Sequence, residues 1–240
     1  AQDWREELDH ALVERAFELA AYPVMRADAQ NLHQEVMLRL RNRQGQTLSA
    51  GQFMPAVMRQ QRTAEFDLVA IELALEKTER EQRDVAVNIS PLSLASEGFI
   101  RTFGEKLLQA QGGAARLWVE ISEKGLDSAN GFSDLERLAD MLALYKVRLG
   151  IEHFGRHFSA LPRLYALELD YIKLDGAFVA GIDLHPGNQR FVKAVLAVAH
   201  SMSIEVIAER VTTREEWNML ASLGVDGVTG PCVTVALRAD

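Results

Sequence analysis

Cysteine is almost missing: Cys232 stands alone in 240 residues. No internal disulfide can form, so packing alone holds the fold, and this usage suits a reducing cytosol. Long apolar runs are missing too. None approaches the ~20 residues of a membrane span, and no signal-peptide pattern is visible. These residues are therefore expected in the cytoplasm, without membrane contact of their own. Positive charge is short: 26 Lys and Arg against 34 Asp and Glu leave a net charge of −8. That balance argues against broad binding to nucleic acid or anionic lipid, while a locally basic pocket can still take a small anion. No repeat and no low-complexity segment stands out. Apolar residues, at 48%, are ample for a large core. The length fits one barrel or two small domains, and the even spread of apolar runs favours a single domain over 1–240.

Strand-like runs fall at 16–25, 35–40, 84–90, 116–122, 147–154, 169–174, 204–208 and 225–229. Helical patterns lie between most of them, at 64–82, 99–111, 132–145, 157–166, 188–202 and 213–223. Such alternation, with near-continuous apolar strands, predicts an α/β barrel, and eight strands is the number that closes one. Residues 3–19 read as an amphipathic leading helix, with 1–12 as the end of a connecting helix from upstream domains of a longer chain. A membrane tether would then lie outside these residues.

The first two strands break the alternation. Only about nine residues, Arg26 to Gln34, join them, and a crossover needs a dozen or more. A hairpin follows, and with it one antiparallel strand near the N-terminus, assigned on this reading to the second strand. Tyr22, near the end of the first strand, and Glu35, opening the second, would then share the barrel mouth. Helices over roughly 50–60 and 64–82 would carry the chain back to the barrel floor.

Polar residues recur at the ends of the apolar runs: Asn88, Glu120, the Glu152-His153 pair after Gly150-Ile151, Lys173 and Glu209. A barrel builds one polar site from distant segments in this way. In Glu35-Val36-Met37-Leu38-Arg39, alternation sends Glu35, Met37 and Arg39 to one face. Taken singly, these residues have plainer readings. Glu35 with Arg39 is a surface ion pair, and His153 is a hydrogen-bonded structural histidine. Arg156 and His157 cap or solvate a helix. Met54, Met58 and the leucines of 64–76 are core or interface stripes.

The full set, in this order, resembles the EAL domain, a family that hydrolyses the bacterial messenger cyclic di-GMP or binds it as a receptor. The resemblance covers about residues 12–231. It rests on Glu35-Val36-Met37-Leu38-Arg39, Asn88-Ile89-Ser90-Pro91, Glu120-Ile121-Ser122-Glu123, Glu152-His153-Phe154-Gly155, Tyr171-Ile172-Lys173-Leu174-Asp175 and Ala208-Glu209-Arg210-Val211. It implies a modified TIM (βα)8 barrel with one antiparallel strand. It also implies that Glu35, Asn88 and Glu120 match ligands of a divalent metal, Mg²⁺ or Mn²⁺, while Lys173 and Glu209 complete the site. Hard oxygen ligands suit such ions, and two of them activate water and stabilise charge on a phosphodiester. Glu123 is implied to hold a neighbouring loop.

The departures from the family pattern matter more. The metal-bridging Asp-Asp pair is Glu152-His153, which removes a negative charge from a site meant for two dications. The glutamine expected after the last strand is Thr229, the glutamine before Pro23 is Tyr22, and the glycine and second acid after Glu209 are Arg210 and Thr212. The pattern is closest to the degenerate EAL module of LapD-like receptors, inner-membrane proteins that sense cyclic di-GMP in the cytoplasm and control adhesion and biofilm.

The expectation is a catalytically inactive cyclic di-GMP receptor whose seven vestigial residues are Glu35, Asn88, Glu120, Glu152, His153, Lys173 and Glu209. Arg39 is the expected phosphate contact and Lys173 a point charge beside it. Met37, Pro91, Phe154 and Pro231 would form apolar walls. Tyr22, Asn88, Glu120, Gly155, Thr229 and Gly230 would complete the ligand site. Glu152 and Glu209 would accept from guanine N–H groups or pair with Lys173, Arg156 or Arg210. No metal or other cofactor is expected for binding, and Mg²⁺ or Mn²⁺ enters only with residual hydrolysis. A homodimer is expected. Two alternatives stay open: a weak metal-dependent phosphodiesterase, and a protein-interaction module that no longer binds nucleotide.

Overall fold

The computed structural model describes residues 4–236 except 97, 111, 129 and 157–163. Among the described residues, nine strands form one sheet: β1 (Phe17–Arg26), β2 (Asn31–Arg41), β3 (Thr47–Ser49), β4 (Val85–Ile89), β5 (Leu117–Ser122), β6 (Arg148–Phe154), β7 (Tyr171–Leu174), β8 (Glu205–Ala208) and β9 (Gly227–Thr229). Their order is β1-β9-β8-β7-β6-β5-β4-β2-β3, and pairing of β1 with β2 closes eight of them into a barrel. The short β3 lies outside the ring, antiparallel to β2. The architecture is the α/β barrel expected, with helices such as Thr63–Glu81, Phe99–Gln109, Gly131–Leu144 and Pro186–Ser201 between strands.

The antiparallel strand is β1, not the second strand. β2 runs parallel to β4, whereas β1 is antiparallel to both β2 and β9. The hairpin therefore sits at the barrel floor, where Ala27 N donates to Asp226 O and Trp217 Nε1 donates to Ala27 O. β2 also begins at Asn31, earlier than its sequence pattern shows. Asn31-Leu32-His33-Gln34 looks like a polar turn, yet His33 is buried inside the barrel. Tyr22 and Glu35 still meet, as opposite partners halfway up the hairpin.

The leading helix is shorter than expected, Trp4–Val13. Arg15 takes a left-handed φ of 50°, and Phe17 onward joins β1, because sheet pairing with β2 overrides the helical pattern of 14–19. Leu8 and Ala11 are buried with Phe53, Val57 and Phe66, so this helix packs on the barrel's own helices. The helix expected over 157–166 falls largely on 157–163, outside the described residues, as does His157.

Strand alternation divides the core in two. Val85, Val87, Val119, Ile121, Ile172 and Leu174 point outward into the main core under the helices. Val24, Ala86, Trp118, Tyr171 and Ile207 point inward and fill the barrel floor. Side chains two residues further toward the mouth must then also face the axis.

Candidate functional site

That inward rule selects Asn88 above Ala86, Glu120 above Trp118, Lys173 above Tyr171 and Glu209 above Ile207. Glu35 and Glu152 follow from His33 and Gly150. The result is one polar layer stacked on an apolar floor. Lys173 Nζ lies 2.8 Å from Glu35 Oε2 and 2.7 Å from Glu120 Oε2. Asn88 Nδ2 donates to Glu35 Oε1 at 3.0 Å, and Tyr171 OH donates to Glu120 Oε1 at 2.9 Å. Lys173 and Glu120 are fully buried and Glu35 nearly so.

Burial opposes every charge in this layer. It pushes the Glu120 carboxyl up to about 8, against the pull of Lys173, and it raises Glu152 as well. Burial alone would lower Lys173, but Glu120 and Glu35 outweigh it and hold the ammonium charged. Burial likewise opposes ionisation of Glu35, where Lys173 prevails and the carboxyl titrates below its usual range.

At the mouth of β6 the register slips between Ile151 and Phe154, and His153 adopts a φ of 55°. This bulge swings the imidazole onto Glu209: Nδ1 lies 2.8 Å from Oε2, and the His153 backbone N–H donates to Oε1 at 3.1 Å. The Glu209 hydrogen bond raises His153 to about 9, against the opposing effect of burial. Glu152 Oε1 stands 3.7 Å from Nε2 on the other side.

Above this layer opens a cavity of about 580 Å³, lined by Tyr22, Glu35, Met37, Arg39, Glu152, His153, Lys173, Glu209, Arg210, Thr229, Gly230 and Pro231. The size lies within the roughly 300–1,000 Å³ of small-molecule sites. Arg39 Nη2 donates to Tyr22 OH at 2.8 Å, and Thr229 Oγ1 donates to Pro23 O at 3.2 Å. Ser49, Ala50 and Gly51 bring the N-terminal turn of the helix Ala50–Arg59 to the rim.

Most of the sequence-derived residues converge here. Asn88 and Glu120 lie beneath the cavity, bonded to Glu35 and Lys173. Three others stand apart. The β6 bulge reverses alternation, so Phe154 is fully buried in the outer core. Gly155 makes room for Phe178, whose ring would lie 2.1 Å from a Cβ there. Pro91 starts the short helix Pro91–Leu94 and packs against Gly125. Glu123 accepts from Gly155 N and Arg156 N, which holds the loop after β6. Glu209 pairs with His153, not with Arg210.

Sequence reasoning missed three supports. Asp67 Oδ2 accepts from Ser90 N and Ser93 Oγ, latching the end of β4 to the helix Thr63–Glu81. Tyr171 steadies Glu120, and its place two residues before Lys173 is the signal that could have found it. His33 stacks on Trp118 with ring centroids 4.1 Å apart, and burial drives its pKa well below 6.5, so it is neutral.

Among the described residues, two groups bring metal-capable atoms within 4.8 Å of one another: Glu35, Glu120 and Glu152, and Glu152, His153 and Glu209. The first suits one hard divalent cation. It has three carboxylates, and beside it Asn88 Oδ1 is a buried acceptor with no hydrogen-bond partner among the described residues. The second does not suit a bridging role. Its histidine commits Nδ1 to Glu209 and leaves only Nε2, 3.7 Å from Glu152 Oε1, and a single nitrogen cannot bridge two ions as a carboxylate does.

A closed barrel carrying buried acids and one lysine at its mouth defines a class, and similarity to known proteins identifies it. The EAL domain family matches residues 5–235, and the chain belongs to that family. The FimX EAL domain from Pseudomonas aeruginosa bound to c-di-GMP has a TM-score of 0.86 at 25% identity, covering 95% of this chain and 94% of that one. The Vibrio cholerae LapD S helix-GGDEF-EAL structure bound to c-di-GMP shares the fold, with a TM-score of 0.85 at 22% identity over 96% of this chain and 56% of that one. The probable cyclic di-GMP phosphodiesterase PdeA of Escherichia coli (strain K12) is 27% identical over 221 residues, 88% of this chain and 29% of that protein. The chain spans less than a third of the length of the first curated relatives it matches.

Proposed function

We propose that the chain is a cyclic di-GMP receptor module that binds its ligand without metal and leaves it intact. On this reading it is the cytoplasmic output domain of a LapD-like inner-membrane protein that controls adhesion. The His153–Glu209 pair carries the proposal. Two-metal hydrolysis needs carboxylate oxygens that bridge two dications, and here an imidazole replaces one of them and occupies Glu209. Lys173 bonds both Glu35 and Glu120, so this layer keeps its charge balance without a metal. Arg39 is oriented in advance by Tyr22, which lowers the cost of ordering it on a phosphate. The helix N-terminus at Ala50 also favours an anion at the rim. Relatives named for c-di-GMP binding or hydrolysis supply the ligand class.

The oxygen cluster of Glu35, Glu120 and Glu152, with the unpartnered Asn88 Oδ1, favours a second reading as a slow one-metal phosphodiesterase. When bound, such an ion would polarise the phosphodiester. Glu35, Glu120 and Asn88 would hold it once Lys173 yields.

Calorimetric titration of cyclic di-GMP in excess EDTA tests the proposal. Binding at micromolar affinity or tighter, with intact dinucleotide recovered afterwards, is expected. Binding only with Mn²⁺, followed by cleavage, would establish the second reading. No binding under either condition would leave an interaction module.

A further inference from the structure

We propose that Arg210 is a second anion contact in this cavity, holding one of the two phosphodiesters of the dinucleotide while Arg39 holds the other. The inference rests on the cyclic di-GMP reading. Arg210 follows β8 at the mouth, is exposed, and lines the same cavity as Arg39 on β2. Between those strands in the closed sheet stand β1 and β9. Tyr22 of β1 and Thr229 and Gly230 at the end of β9 line the cavity there. The two arginines thus flank one concave surface.

Three observations together favour Arg210. First, its backbone holds a φ of 55°, a left-handed conformation that disfavours any residue with a Cβ and is concentrated at functional sites. Second, two glycines make space for it. A Cβ on Gly176 would lie 2.7 Å from Arg210 Cδ and 3.1 Å from its Cβ, and one on Gly230 would lie 2.8 Å from its carbonyl carbon. The aliphatic stem therefore rests on bare backbone, which fixes where the guanidinium emerges. Third, among the described residues the Arg210 guanidinium has no carboxylate partner, and it lines the cavity. The adjacent Glu209 is taken by His153.

In a chain of net charge −8, Lys173 and His153 are already paired with the acids under the cavity, so a dianion is drawn in by further cations at the rim. A guanidinium matches a phosphodiester with two parallel N–H donors. Cyclic di-GMP carries two such groups, and Arg39 can serve only one.

The test is calorimetric titration of cyclic di-GMP in EDTA with the parent, Arg210→Ala and Arg210→Gly, at low and high NaCl. Both variants are expected to bind about ten- to a hundredfold more weakly, the effect of losing one charged hydrogen-bonding group. Their affinity should also fall less steeply with salt. Arg210→Gly should melt at a higher temperature than the parent, because glycine relieves the left-handed backbone. That variant keeps the test independent of folding. Variants that bind within twofold of the parent would overturn the Arg210 assignment alone. So would weaker binding with the parent's salt dependence, since the loss would then be conformational. A parent that does not bind would overturn both this inference and the receptor reading.

Discussion

His153 shows how one residue changes the chemistry available at a barrel mouth. Its imidazole is charged at neutral pH because it donates to Glu209, and that bond lifts its pKa from 6.5 to about 9. A group whose pKa rises on folding adds stability that is fully present below the unfolded value and lost as pH climbs through the folded one. The His153–Glu209 pair should therefore stabilise the protein fully below about pH 6.5 and progressively less up to about 9. Thermal melts of the parent and His153→Ala should show a gap at pH 6 that narrows by pH 10. A gap that does not depend on pH would mean that His153 acts through packing alone. At this scale the sequence was legible wherever alternation held. Glu35, Asn88, Glu120, Lys173 and Glu209 were readable as one inward layer. Phe154 was misplaced because the bulge beside it leaves no mark in residue type.

Strands β5, β6 and β7 cooperate around a glycine. Gly150 faces the axis, and a Cβ there would fall 2.4 Å from the Tyr171 ring. That vacancy lets Tyr171 reach Glu120, which in turn fixes Lys173. Gly150→Ala should push the ring aside and cost about 1–3 kcal/mol, the usual penalty of overpacking. Urea denaturation measures that loss, and a crystal structure of the variant should show the Tyr171–Glu120 bond broken. Unchanged stability would mean that the floor can repack. The hairpin teaches a complementary point. A short connection between the first two strands was readable and required an antiparallel pair. Which member opposes the rest was not, because that depends on β2 pairing with β4, a contact between distant segments.

The whole molecule places its liability and its function together. Eight strands close without a free edge, and the closed ring gathers four acids, Glu35, Glu120, Glu152 and Glu209, toward one mouth. Lys173 and His153 offset the charge of Glu35 and Glu209 from within, and burial raises Glu120 and Glu152 toward their neutral forms. A dianionic ligand that adds Arg39 and Arg210 contacts should stabilise the native state in proportion to its occupancy. At a hundred times Kd, linkage gives about 2.7 kcal/mol. Urea unfolding with and without cyclic di-GMP, in EDTA, should show that gain. A shift appearing only with Mn²⁺ would point to the metal-dependent reading.

The sequence by itself determined the fold class, the position of nearly every strand, and the inward set of acids, amide and lysine. It could do so because period-two burial and helix–strand alternation are local patterns, visible in residue type. Tertiary structure alone decided that β1 is the reversed strand, that Phe154 turns outward and that Pro91 and Gly155 stand outside the cavity lining. It also decided that His153 takes Glu209 and so leaves Arg210 without a carboxylate partner among the described residues. Each of these depends on a contact between segments far apart in the chain, and no local pattern encodes which of two neighbours a charged group will choose.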